Sequence, residues 1–123
     1  MFSTAPDLMR FVSMLLQDGV FQGKRVLPQG VLALISKNAL EPLVNAQTAL
    51  GWELNNPLFM GSKCSSSTFG KTGFTGASIV ADAKRGAAIV FLSNFTWPHR
   101  EEKPERIYAF RSFLSDLIFE EIE

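Results

Sequence analysis

The sequence is short of several things, and each shortage removes a class of protein. It has one cysteine, Cys64, and one histidine, His99, so it can close no internal disulfide and is too poor in both for a zinc site. No apolar run approaches the roughly 20 residues of a membrane-spanning helix. Neither sign of charge is in excess: Lys+Arg and Asp+Glu stand at 12 each, which removes the basic footprint of a nucleic-acid binder. The start, Met1-Phe2-Ser3-Thr4-Ala5-Pro6-Asp7, has no basic stretch followed by an apolar core and does not read as a signal peptide. Polar aromatics are scarce too, with one Tyr and two Trp against eleven Phe. So much wholly apolar aromatic surface has to be buried. The 123 residues, 46% hydrophobic and 20% charged, have the composition of one globular domain held by a hydrophobic core.

Periodicity divides the chain. Leu8, Phe11, Val12, Leu15 and Leu16 recur at helical spacing, with Thr4, Pro6 and Asp7 as a start and Gly19 as a stop, so a helix is expected at about 5–18. A turn-rich link, Gly19 to Arg25, leads to a short helical pattern starting at Pro28 and carrying Val31, Leu34 and Ile35. The chain then reads as irregular from Asn38 to Ala46, as a short strand around Leu50–Leu54, and as a polar loop from Asn55 to Ser67. Three β segments follow at about 68–74, 77–82 and 87–94, and their short links predict antiparallel hairpins. Ala87–Leu92 is apolar without alternation, the pattern of a central strand covered on both faces. Ile107, Phe110, Leu114, Leu117 and Ile118 trace the expected core-facing side of a last helix, Pro104 to Ile122. The fold class is therefore α+β, an antiparallel meander with flanking helices.

One stretch offers chemistry: Phe69-Gly70-Lys71-Thr72-Gly73-Phe74-Thr75-Gly76. Glycines at 70, 73 and 76 let a backbone or ligand come close, and they flank a cation and a hydroxyl. A glycine-rich hairpin with a solvated lysine is the plainer alternative. Other candidates are weaker. His99 reads as a surface histidine, Cys64 as an incidental thiol, Trp52 as packing, and Arg100–Arg106 as a solvated charge run.

Several segments together resemble the C-terminal part of the serine β-lactamase and penicillin-binding protein superfamily, nearest its class C β-lactamase-like and esterase-like members. Ser3-Thr4-Ala5-Pro6-Asp7-Leu8-Met9-Arg10-Phe11 is similar to a family helix start, Leu50-Gly51-Trp52-Glu53 to a Leu-Gly-Trp strand, and Phe91-Leu92-Ser93-Asn94 to a family strand end. Lys71-Thr72-Gly73 falls where the family's third catalytic motif is expected. The resemblance implies a partial β-lactamase/transpeptidase-like fold in which that strand walls the active-site cleft. Lys71 would place charge near a substrate carboxylate or the proton-transfer network, and Thr72 would offer that carboxylate a hydroxyl. Gly73 would leave room for the acyl group, and the Phe74 backbone N–H would serve the oxyanion hole.

The family's other motifs are missing. No serine has lysine three residues on, so Ser-x-x-Lys is absent, and Tyr108 does not begin a Tyr-x-Asn. Ser36-Lys37-Asn38 fits Ser-x-Asn but lies too close to Lys71 and is read as chance. Residues 1–123 are accordingly expected to be a single C-terminal segment of a larger domain, inactive alone. The expected substrate of the complete protein is a small molecule or peptidoglycan-like peptide. No cofactor or metal is implied, and the expected partner is an N-terminal segment or a second copy. Complete relatives are often periplasmic or envelope proteins, which leaves the compartment of this chain open.

Overall fold

The structure, a computed structural model, describes residues 2–40, 47–99 and 104–122. In chain order it runs helix α1 (Ala5–Leu16), a hairpin of β1 (Val20–Phe21) and β2 (Lys24–Arg25), helix α2 (Val31–Ser36), strands β3 (Thr48–Ala49) and β4 (Trp52–Leu54), a short helix α3 (Pro57–Met60), strands β5 (Thr68–Thr72), β6 (Ser78–Asp82) and β7 (Ala87–Phe91), and helix α4 (Glu105–Glu121). Strands β3 to β7 form one antiparallel sheet in sequence order. The chain is α+β, as its sequence pattern requires.

Helix α1 begins as its sequence prescribes. The Thr4 side chain caps it by accepting from the Asp7 N–H at 3.3 Å, and Asp7 in turn pairs with Arg10. Helix α2 differs: it begins at Val31, not Pro28, and Gly30 at its N-terminus brings no capping side chain. The cap comes from Asp18, whose carboxylate accepts from the Gly30 and Leu32 N–H groups at 2.8 and 3.0 Å. Those backbone donors, Gly30 first, hold the Asp18 pKa below the ordinary carboxylate value.

Three short elements were hidden in expected loops. Gly19–Arg25 is a hairpin. The strand expected at Leu50–Leu54 is the second arm of another hairpin, with Leu50 and Gly51 in its turn. Within the expected polar loop, Asn56 caps α3 by accepting from Leu58 N–H at 3.1 Å, and Phe59 and Met60 are fully buried. A helix of four residues has no period to read. Of the stretch read as irregular, 41–46 lies outside the described residues, as does 100–103 of the charge run.

The sheet has a core on each face. On one, Val12, Leu15, Ile35, Leu54 and Phe69 pack under α1 and α2; on the other, Phe59, Met60, Val80, Ile89 and Phe119 pack under α3 and α4. Strand β7 contributes Ala88 and Val90 to the first and Ala87 and Ile89 to the second, so its unbroken apolar run is covered on both sides. It is nonetheless the outermost strand among the described residues, not the central one expected. Two-sided cover alone explains the missing alternation.

Helix α4 meets its expected orientation in part, with Leu114 and Ile118 packed against the core around Phe119 and Ile107 half-buried, and corrects it at Phe110 and Leu117. The residues it buries are Arg111, Ser115 and Phe119, while Phe110, Phe113 and Leu117 stay 48%, 64% and 46% exposed. Ser115 is small enough for close packing. Nearby, Gly61 after α3 approaches so closely that a Cβ there would meet the Ser112 carbonyl at 2.9 Å. Among the described residues no helix is long and apolar enough to cross a membrane.

Candidate functional site

Strand β5 carries Lys71 and Thr72 to its open end, and Gly73 and Phe74 follow in the turn. Its register on β6 runs from Thr68 opposite Asp82 to Thr72 opposite Ser78, and there the ladder stops. Asp82 fixes the closed end. Fully buried, it accepts from the hydroxyls of Ser67 and Thr68, from the N–H groups of Lys84 and Arg85, and from the Arg85 guanidinium at 3.0 Å. Burial pushes its pKa up, but these donors outweigh burial and leave it below the ordinary value.

Beyond Thr72 the chain folds into a tight turn. The Gly73 N–H donates to the Ala77 carbonyl at 2.8 Å, and the Gly76 N–H donates back to the Gly73 carbonyl at 3.1 Å. The segment after β7 braces this turn: the Phe95 N–H and the Ser93 hydroxyl both donate to the Thr75 carbonyl, at 2.9 and 3.2 Å. Phe74 rides at the tip with its residue 74% exposed.

The three glycines do different jobs. A Cβ on Gly70 would lie 2.6 Å from the Ile79 carbonyl and 3.0 Å from the Phe59 ring, so this glycine serves internal packing. Gly76, at φ +98°, is enclosed by Ser93 and Phe95 and is also structural. At Gly73 the nearest atom to such a Cβ is the Ala77 Cβ at 3.6 Å, so here alone of the three the missing side chain leaves room. The expectation that all three admit a ligand thus reduces to one.

Side chains alternate across β5, and each side has its own hollow. On the α1 side, Leu8, Lys71, Ile79 and Leu92 line a pocket of about 190 Å³ that Thr72 and Gly73 also border. On the α4 side, Thr72, Gly73, Phe74, Tyr108 and Arg111 line a cleft of about 600 Å³. The Lys71 ammonium is exposed and donates to Glu53 Oε1 at 3.3 Å, while the Asn56 amide donates to the other Glu53 oxygen at 2.8 Å. Arg111 is only 4% exposed; its Nη2 donates to the Ala77 carbonyl at 3.0 Å and its guanidinium carbon stands 5.3 Å from the centre of the Tyr108 ring. Its Nε is buried with no hydrogen-bond partner.

A model of the Beta-lactamase family matches residues 1–111, from before α1 into α4. The chain belongs to the Beta-lactamase family. A search of curated proteins finds no match to it.

In this Beta-lactamase family chain Thr72, Gly73 and Phe74 line the larger cleft and Lys71 the smaller pocket beside it, and two further residues reach them from a distance. Glu53 meets Lys71 because β4 pairs with β5, Glu53 opposite Gly70. The signal for it was the pairing of the Leu-Gly-Trp strand with the glycine-rich one. Arg111 arrives from α4, where only the cost of burying a cation could have marked it.

The weaker candidates are otherwise employed. Ser36 donates to the Leu32 carbonyl at 2.7 Å, and Asn38 accepts from the Leu40 and Thr48 N–H groups, so Ser36-Lys37-Asn38 is a helix end and a turn. The half-buried Cys64 thiol is pushed up in pKa by desolvation and then by Asp116, the opposite of an activated nucleophile. His99 is exposed, and Trp52 packs edge-on against Phe69 at 5.2 Å. Among the described residues no three His, Cys, Asp or Glu gather as a metal site.

Proposed function

We propose that residues 1–123 are the C-terminal, Lys-Thr-Gly-bearing segment of a β-lactamase-like serine hydrolase, supplying one wall of its cleft to an acyl transfer on a β-lactam, a D-alanyl peptide or a small ester. The observation that carries this reading is the run Lys71-Thr72-Gly73 at and just past the open end of β5, where Thr72 and Gly73 line a cleft of about 600 Å³ and all three residues line a pocket of about 190 Å³, in a chain of the Beta-lactamase family. Lys71 supplies positive charge, Thr72 a hydroxyl, Gly73 room for the acyl group, and the Phe74 N–H a donor to the developing oxyanion. The acylated serine has to come from elsewhere, because Ser-x-x-Lys is absent. The chain alone should therefore hydrolyse neither nitrocefin nor a p-nitrophenyl ester. Turnover by the purified chain that Lys71→Ala abolishes would overturn the claim of inactivity.

A second reading, a non-catalytic module that pairs with a separate N-terminal half or with itself, is favoured by β7. That strand has no neighbour on its outer side among the described residues, and the exposed Phe110 lies 5.3 Å from Phe91 at that edge. An open strand beside apolar rings is a template for pairing. Sedimentation should then find a dimer, and a compact monomer at high concentration would count against it.

A further inference from the structure

Helix α4 carries an apolar row that the core does not use. Phe110, Phe113 and Leu117 follow one another at three and four positions, so they stand in line on one face of the helix, and each is about half exposed or more. The row ends in charge. Arg106 lies seven positions before Phe113 and Glu120 seven after it, about two turns each way, both exposed and in line with the row, with Glu121 next to Glu120. The far end runs against the helix's own dipole: Glu120 and Glu121 occupy the last turn, which holds no base, although a cation is favoured there. Neither glutamate has an ion pair among the described residues.

We propose that this face of α4 is a self-association surface, on which α4 of a second copy packs antiparallel about a two-fold axis at Phe113. The row is close to symmetric about that residue. A half-turn sets Phe113 beside its own counterpart, Phe110 against Leu117 of the second copy, and Arg106 against Glu120 and Glu121 of the second copy, with every contact made twice. Charge decides the occupant. A wholly apolar partner would leave both ends unmatched, and a partner of one sign would match only one of them. A second copy matches both, and its helix N-terminus offsets the acids that the last turn cannot. The proposal rests on the self-pairing half of the second reading and gives it a surface other than the β7 edge; Phe110, which stands against Phe91, is where the two adjoin. Three half-exposed side chains offer roughly 300 Å² per copy. That is well short of a standard interface, so the pair should be weak and reversible, with Kd on the order of 10–100 µM.

Sedimentation of the whole 123-residue chain tests this, from about 5 µM to about 1 mM at low salt, a range that brackets such a Kd. Dimer should fill as concentration rises. Phe113→Glu should weaken it at least about thirtyfold, because two carboxylates then meet at the axis. Its Tm by circular dichroism should match wild type, since Phe113 is exposed. Arg106→Glu and Glu120→Arg should each weaken the dimer about fivefold or more, and an equimolar mixture of the two variants should regain most of the loss, because each supplies the charge the other lacks. A monomer at every concentration overturns the proposal together with self-pairing and leaves the row to an N-terminal half. A dimer that Phe113→Glu leaves intact overturns this surface alone, with self-pairing then assigned to β7. Charge variants that stay weak when mixed overturn the antiparallel arrangement.

Discussion

Two glycines three positions apart in one motif should respond oppositely to the same methyl group. Gly70 is walled in by backbone: a Cβ there would stand 2.6 Å from the Ile79 carbonyl of the paired strand, 3.0 Å from the Phe59 ring and 3.2 Å from the Met60 methyl. The carbonyl is fixed by the β5–β6 ladder, so the strain has to spread into the strands. Overpacking of this kind costs about 1–3 kcal/mol, and alanine regains roughly 0.5–1 kcal/mol over glycine by restricting the unfolded chain. Gly70→Ala should therefore lose about 1–2 kcal/mol, a fall in Tm of roughly 4–10 °C for a domain of this size. At Gly73 the first contact is an ordinary 3.6 Å to the Ala77 Cβ, and stability should stay within about 0.5 kcal/mol. Paired thermal and urea unfolding of the two variants by circular dichroism reads the difference directly. The same Gly73 methyl projects into the room assigned to the acyl group, so Gly73→Ala should weaken binding of acetyl-D-Ala-D-Ala while leaving Tm alone. Equal stability losses in the two variants, or a stable Gly70→Ala, would refute the division of the motif into a packed glycine and an open one.

Asp82→Asn replaces a buried acceptor hub by a neutral amide facing the Arg85 guanidinium and should cost about 2–4 kcal/mol, measured by urea unfolding at pH 7. The pH dependence follows from the lowered Asp82 pKa: its contribution is complete above the unfolded carboxyl value of about 4 and is lost as pH falls through the folded value, so the gap between wild type and Asp82→Asn should close in acid. A gap that stays constant down to pH 2 would show that the carboxylate charge is not what stabilises. Glu53→Gln should change stability by less than about 1 kcal/mol, because the Lys71–Glu53 pair is largely solvated; a larger loss in the same unfolding assay would contradict that.

What could be read in the sequence was what lies close together along it. Thr4 and Asp7 cap α1 from three positions apart, and the meander of β5, β6 and β7 follows from turns of a few residues. Lys71, Thr72 and Gly73 are legible because a contiguous motif carries its own geometry. What escaped was supplied from afar or was too short for a period. Asp18 caps α2 across 12 positions, Glu53 reaches Lys71 across 18, and Arg111 reaches Ala77 across 34. Each depends on an element pairing that local pattern does not specify. α3 needed only Asn56, Pro57 and two side chains to bury, and four residues cannot display a 3.6-residue repeat.

Helix α4 explains why the phenylalanine content pointed correctly to a core and yet misplaced part of it. Its apolar residues spread over more than one face, so the choice of face falls to the groups that must be buried with it. Arg111 finds the Ala77 carbonyl and the Tyr108 ring, Ser115 permits close packing, and Phe119 fills the lower core; together they turn the helix. Phe110, Phe113 and Leu117 are then left 48%, 64% and 46% exposed, and Phe110 stands against Phe91 of β7, the outermost strand among the described residues. Fully burying such a side chain contributes about 1.5–3 kcal/mol, so covering three half-exposed ones would add a few kcal/mol. A strand added to β7, whether from an N-terminal half or from a second copy, would gain the Phe110 share of it. Turning α4 so that Arg111, Ser115 and Phe119 face inward is what turns Phe110, Phe113 and Leu117 outward.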